Sequence, residues 1–324
     1  MDRRTAIAAA AWTLMAARGA GAQQAEAWPS RPVKIIVPAA PGGSPDALAR
    51  LLSTRMPNTL KQPVLVESRP GAGGLIGARA LASAQDGHTV ILMVTSVAAV
   101  LPVVNPAANF DAVRDLVPVA SIGYTPMMVV AAAGTPIRTF EQAVEFARKA
   151  STPPVFAHAG PGTMSHLAQQ RVAKMAGMEV LSVSFGNPAK TLAGLVGGDA
   201  QLYADAVSVV MPMVQAGRAV PLAVLAPEKV PGLESVPLGR DLIPGLVAVG
   251  AFGVMAPKGT PPENVALLSR AVAEAMKDPE VVPRLREMGI FPNVTDAPAY
   301  GEILRQEQAV WGAVAKGLAL EPPR

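Results

Sequence analysis

Short β-branched apolar runs alternate with amphipathic stretches along most of the chain. VKIIVP (33–38), PVLVES (63–68) and HTVILMV (88–94) predict strands. Between the first two, Leu48, Leu51, Leu52 and Met56 share one face of a helix near 45–57. A second helix runs from the turn RPGAGG to near Asp86-Gly87. This alternation predicts a parallel α/β sheet with right-handed crossovers. The middle third repeats the pattern. PMMVVAAA (126–133), PVFAHAG (154–160), EVLSVSF (179–185) and AQLYADA (200–206) read as strands. The helices between them include one with Phe140, Val144 and Ala147 on one face and one closed by Gly177. PLAVLA (221–226) and VGAFGVMAP add strands, and the tail from Pro262 reads as mainly helical.

The two similar α/β stretches predict two lobes, with chain crossings near 125–135 and 248–258 and the C-terminal helices returning to one lobe. The mean hydropathy of +0.32 is high enough that membrane spans need to be considered. The longest uncharged runs begin at Leu116 and Leu242. Pro118, Gly123, Pro126, Pro244, Gly245 and Gly250 interrupt them, so they read as buried strands with turns. No membrane insertion of the mature chain is expected. The first residues, MDRRTAIAAAAWTLMAARGAGAQQ, have a basic start, a short apolar run and small residues at Ala20 and Ala22. That is the pattern of a secretory signal, 1–22, cleaved near Ala22. Arg3-Arg4 leaves the Sec and twin-arginine routes both open. Those 22 residues hold three of the 28 basic and one of the 24 acidic residues, so the net charge of +4 falls to about +2 without them. No basic cluster points to nucleic acid. The chain has no cysteine, so core packing must hold it together.

Three glycine-rich loops each follow a strand and open a helix: Pro41-Gly42-Gly43-Ser44, Gly71-Ala72-Gly73-Gly74 and Gly160-Pro161-Gly162-Thr163-Met164-Ser165. Helix starts carry unpaired N–H groups and the positive end of the macrodipole, so anions bind there readily. Each loop is also consistent with plain capping: Ser44 is a good N-cap and Pro45 suits the first helical position. The second loop gives G-x-G-x-x-x-G and not a dinucleotide fingerprint, and no Walker-type loop is present. Ser165-His166 lacks a G-x-S-x-G elbow. Three dispersed histidines without H-E-x-x-H give no metal motif, and no cofactor is expected. Asp205, on an apolar strand, is either a paired buried carboxylate or a group accepting from a ligand amine, water or hydroxyl.

The ordered stretches WPSRPVKIIVPAAPGGSPDALARLL, QPVLVESRPGAGGLIGARALASAQDGHTV, NFDAVRDLVPVASIG, PGTMSHLAQQRVAKMAG, LAGLVGGDAQLYADA and VMAPKGTP resemble the extracytoplasmic solute receptors of tripartite tricarboxylate transporters, also called Bug receptors. The resemblance implies an α/β, two-lobed periplasmic-binding-protein (Venus flytrap) fold, each lobe a mainly parallel sheet flanked by helices. Lobe 1 would comprise 30–128 with 254–324, and lobe 2 would comprise 129–253. It implies a non-catalytic, monomeric periplasmic protein. Such a receptor captures a small carboxylate (a di- or tricarboxylate, acidic amino acid or aromatic acid) in the cleft and delivers it to membrane permease subunits. Carried over, the ligand-binding positions are Gly42, Gly43, Ser44 and Asp46, then Gly71, Ala72, Gly73 and Gly74, with the hydroxyls and N–H groups of Thr163, Ser165 and His166 closing from lobe 2 and Asp205 as the second-lobe acid. Two departures bear on the ligand. Ser184-Phe185-Gly186-Asn187 replaces the family's P-Y-K-G, and Ala39-Ala40 stands where an aromatic often precedes Pro-Gly-Gly. The alternatives from other classes are an exported hydrolase using Ser165 and His166, and a receptor feeding a two-component sensor kinase.

Overall fold

The computed structural model describes residues 28–105 and 108–316. The leader and its cleavage position lie outside the described residues. Ten strands form one continuous sheet: β1 (Val33–Val37), β2 (Val64–Ser68), β3 (Thr89–Val94), β4 (Leu116–Ala132), β5 (Val155–His158), β6 (Leu181–Ser184), β7 (Leu202–Ala206), β8 (Ala219–Val224), β9 (Val249–Pro257) and β10 (Phe291–Thr295). The path runs β2-β1-β3-β9-β4-β7-β5-β6, with β8 and β10 also paired to β4. The outer strands of each half are parallel, β1 with β2 and β3, and β5 with β6 and β7. Through the middle, β3–β9, β9–β4 and β4–β7 are antiparallel.

The longer helices are α1 (Ser44–Arg55), α2 (Leu75–Ala82), α3 (Phe140–Lys149), α4 (Met164–Ala176), α5 (Pro188–Gly197), α6 (Val207–Gln215), α7 (Pro262–Ala275), α8 (Val281–Glu287) and α9 (Ala297–Lys316). They cover both faces of the sheet, and the strands show it residue by residue. Val33, Ile35 and Val37 join the core under α1 and α7, whereas Ile36 joins the core under α2. Met127, Val129 and Ala131 face α3 and α4; Met128, Val130 and Ala132 face α5 and α6. A strand buried on both sides gains nothing from polar alternation, which is why these segments read as unbroken apolar runs.

One sequence expectation is corrected here. The stretch from Leu116 is one strand of 17 residues, where the sequence predicts turns at Pro118, Gly123 and Pro126. Register shifts between Pro118 and Ala120 and between Ser121 and Gly123 absorb the irregular residues as bulges. Pro126 sits where the β9 ladder ends. The tail is mainly helical, as its pattern predicts; within it β10 returns antiparallel to β4, close enough that a Cβ on Gly123 would lie 2.4 Å from the Phe291 carbonyl oxygen. Outside the tail, α6 follows β7 where the sequence pattern predicts no helix.

Helix α9 spans the two halves. Tyr300 and Leu304 near its start pack in a first-half core, and Trp311 and Ala315 near its end pack in a second-half core. Between them Glu307 accepts a 2.7 Å hydrogen bond from Trp311 Nε1. Burial pushes the Glu307 carboxyl up to about 7; the Trp311 bond, the Thr95 hydroxyl and the Arg171 charge only partly offset it. A carboxyl whose folded pKa exceeds its unfolded value stabilises the fold while protonated and ceases to do so as pH rises through the folded value. Glu307→Gln is therefore expected to be more stable than the wild-type chain at pH 8. The gap should shrink toward zero near pH 5, as read by urea denaturation at both values.

Candidate functional site

The strand registers bring the two sets of glycine loops to one place. Val94 at the end of β3 pairs with Phe252, and Phe252 pairs with Gly123 in the middle of β4. From the other side, Ala206 at the end of β7 pairs with Met127. The carboxyl ends of the parallel strands in both halves thus point toward Gly123–Met127 of β4. Loops at the carboxyl ends of strands are where open α/β sheets bind ligands.

On the first-half side, Asp46 organises the loop after β1. The residue is 3% exposed. It accepts from Gly42 N (3.1 Å), Ser68 Oγ (2.8 Å) and Arg50 Nε (2.8 Å). These partners, the Arg50 hydrogen bond first, hold the carboxyl down at about 2. Its negative charge is thus neutralised locally and turned inward, so Asp46 positions the loop and ties it to the end of β2. The sequence suggests Ser44 as the N-cap, but the cap is Gly43, which has no side chain to offer; Ser44 opens the helix and Pro45 follows. The first backbone bond of the helix comes from Ala47 N. Among the described residues, the N–H groups of Gly43, Ser44 and Asp46 therefore meet no acceptor.

The second loop packs against the first. Gly71, Ala72, Gly73 and Gly74 all have positive φ (120°, 49°, 65° and 98°). A Cβ on Gly74 would lie 2.4 Å from Val97 Cγ2 and 3.3 Å from the Pro38 carbonyl, so only glycine lets this turn sit on the end of β1. Gly71, Ala72 and Gly73 remain exposed.

The second-half side is built around α4. Thr163 caps the helix, donating to Gly160 O (2.7 Å) and accepting from His166 N (3.3 Å). Ser165 is 2% exposed and its hydroxyl donates to Ala204 O at 2.8 Å. Both hydroxyls, expected to close on a ligand, are thus engaged within the protein. What these residues present is backbone N–H, since Met164 N and Ser165 N meet no acceptor among the described residues. The same burial removes Ser165 as a nucleophile. His166 stacks on His158, ring centroids 4.1 Å apart. Burial, with the neighbouring ring, depresses His166 to about 4 and burial likewise lowers His158. Asp205 is buried at the end of β7, accepting from the Tyr203 hydroxyl and from Ala206 N (2.7 Å). Burial pushes its carboxyl up, against the pull of those two bonds.

No hydrogen bond links the first-half loops to the second-half group among the described residues. Sequence reasoning did not identify Tyr203 or His158. Tyr203 carried a usable signal, because positions two apart on a strand share a face and Asp205 is two residues on. Also unanticipated is Thr125, whose buried Oγ1 has no partner at the same point of β4. Among the described residues no His/Asp/Glu cluster could hold a metal, and no helix is long and apolar enough to cross a membrane.

Replacing Asp46 with Asn is expected to loosen both first-half loops. The carboxylate stabilises the fold above its unfolded pKa, and that contribution is lost as pH falls toward 2. The variant should thus be less stable by on the order of 1 kcal/mol at pH 7, after discounting for solvent screening. Its deficit should narrow between pH 4 and pH 3 in chemical denaturation.

The family model described as "Tripartite tricarboxylate transporter family receptor" matches residues 48–320. A UPF0065 protein of Bordetella bronchiseptica is 34% identical over 83% of this chain and 80% of its own length. Protein BugT of Bordetella pertussis is 29% identical over 90% of each. Among solved structures, Rpa4515 of Rhodopseudomonas palustris with adipate superposes with a TM-score of 0.75 at 29% identity, covering 89% of this chain and 97% of that one. MatC of the same organism with bound malate gives 0.70 at 27%, covering 89% and 100%. With the family model matching most of its length and the periplasmic-binding-protein fold it shares with these receptors, the chain belongs to the tripartite tricarboxylate transporter receptors, a family of solute-binding proteins and not of enzymes.

Proposed function

We propose that the protein is a periplasmic receptor that captures a small carboxylate between two lobes, 30–128 with 254–324 and 129–253, and delivers it as a monomer to tripartite transporter permease subunits. The leader 1–22 would direct export, with cleavage near Ala22. The observation that carries this reading is the convergence of open N–H groups from both halves on the middle of β4, with no lysine or arginine among the loop residues themselves. Helix starts stabilise an anion through dipoles and N–H donors, so a carboxylate can be held without a buried cation. The first-half loops supply Gly43, Ser44 and the Gly71–Gly73 turn; the second half supplies the start of α4. Asp205 would face the rest of the ligand and favour an acid bearing a hydroxyl or amine. That two similar receptors hold adipate and malate supports the carboxylate class.

The test is a melting-temperature screen of mono-, di- and tricarboxylates, malate and adipate included. A ligand at 100 times its Kd should add about 2.7 kcal/mol of stability. No shift with any carboxylate overturns the receptor reading. Gly42→Val targets the same seat: Gly42 has φ +84° and open space around its Cβ position, so the substitution strains the loop without a clash. Affinity for the acid found by the screen should fall about tenfold or more (1.4 kcal/mol or more) while the chain still folds.

A further inference from the structure

We propose that His158 is a ligand-contacting residue, and that the stacked imidazoles of His158 and His166 form the second-lobe donor pair for one carboxylate of the ligand. This rests on the receptor reading above and adds to it a residue and a proton arrangement that no motif pointed to.

His158 ends β5 and His166 lies in the first turn of α4, eight residues later. The Gly160-Pro161-Gly162 turn folds the chain back so that the two rings lie nearly parallel, at 21°. The turn also fixes which nitrogen of each ring carries the proton. Gly160 N donates to His158 Nδ1 and Gly162 N donates to His166 Nδ1, both at 3.2 Å. A nitrogen that accepts a hydrogen bond carries no proton, so in each neutral ring the proton is on Nε2. Burial keeps both rings neutral near pH 7. Each ring therefore has one donor left.

Neither Nε2 has a partner among the described residues, and neither is among the polar atoms sealed from solvent. Yet the residues are only 4% and 8% exposed. Two nearly buried rings thus keep a single unpaired donor each, beside the free N–H groups of Met164 and Ser165 at the start of α4. The rings are buried except at these open Nε2 edges, so the two donors at the helix start are placed to meet an incoming acceptor. A metal ion does not fit, because it needs a bare ring nitrogen and both bare nitrogens are taken by backbone N–H. A cation is excluded for the same reason. What fits is an acceptor-only anion, and stacked neutral donors suit the two oxygens of one carboxylate. Keeping the rings neutral also avoids the repulsion that two stacked imidazolium ions would suffer.

The test uses the full receptor and the carboxylates of the screen, beginning with malate and adipate. Long-range proton–nitrogen spectra should show Nε2-protonated tautomers for both histidines, and both Nε2 resonances should move when an acid that raises the melting temperature is added. His158→Phe keeps a stacked ring and removes the donor; it should lower affinity at least tenfold, and His158→Gln, which restores an N–H, should recover part of the loss. Saturation that leaves both Nε2 signals unmoved, or unchanged affinity in folded His158→Phe, overturns the inference and leaves the receptor reading standing. If His158→Phe does not fold, the wild-type spectra decide. If no carboxylate binds the wild-type protein, the receptor reading fails and takes this inference with it.

Discussion

Strand β4 is hydrogen-bonded into both halves of the sheet, and the placement of every candidate site residue depends on where it changes partners. Along Leu116–Pro126 it pairs with β9; from Met127 onward it pairs with β7 and β8. Because β9 and β7 run antiparallel to β4, and β3 antiparallel to β9, the parallel strand sets on either side end at the same point. Had β7 paired in the opposite sense, the loop after β5 would lie at the far edge of its half. The chain then has no freedom to separate the two sets of loops except by bending β4 and β9 near that point. Helix α9 adds a third link, with Tyr300 in one core and Trp311 in another.

The electrostatic character of the site follows from what each half does with its charges. In the first half the Asp46 carboxylate is paired with Arg50 and hydrogen-bonded by Ser68 and the Gly42 N–H. The N–H groups of Gly43, Ser44 and Asp46 at the helix start stay without an acceptor among the described residues. In the second half, burial keeps the histidines neutral, so under the proposed reading their contribution would be directional and not coulombic. Under the proposed reading, an anion seat of this kind would lose little to salt, since screening acts on exposed charges far more than on hydrogen bonds made at short range.

Much of the fold was legible in the sequence because strands covered on both faces and helices covered on one leave distinct periods. Ile35 and Ile36, facing opposite cores, produce the continuous apolar run; Leu48, Leu51 and Leu52 produce the helical stripe. The middle of β4 was not legible, because Pro118 and Pro126 signal turns locally and only the pairing with β9 shows that bulges absorb them. The glycine loops were legible as types, since positive φ at Gly71, Gly73 and Gly74 selects glycine strongly. Their hydroxyl neighbours were not. Ser165 and Thr163 look the same in sequence whether they face a ligand or the protein, and the Ala204 carbonyl that takes the Ser165 proton is 39 residues away.

His158 shows the same limit from the other side. A histidine at a strand end, followed by Gly-Pro-Gly and a second histidine one helical turn in, carries no periodic signal. Its meaning depends on a turn that brings ring against ring and points one N–H at each Nδ1. Under the proposed reading this local geometry also explains how the two halves can be coupled without any direct bond between their loops. Each half presents donors that its own fold leaves unpaired, and a carboxylic acid long enough to meet both satisfies them at once. Closure is then favoured only when an acceptor is present, since bringing two sets of unpaired donors together in its absence gains no hydrogen bond.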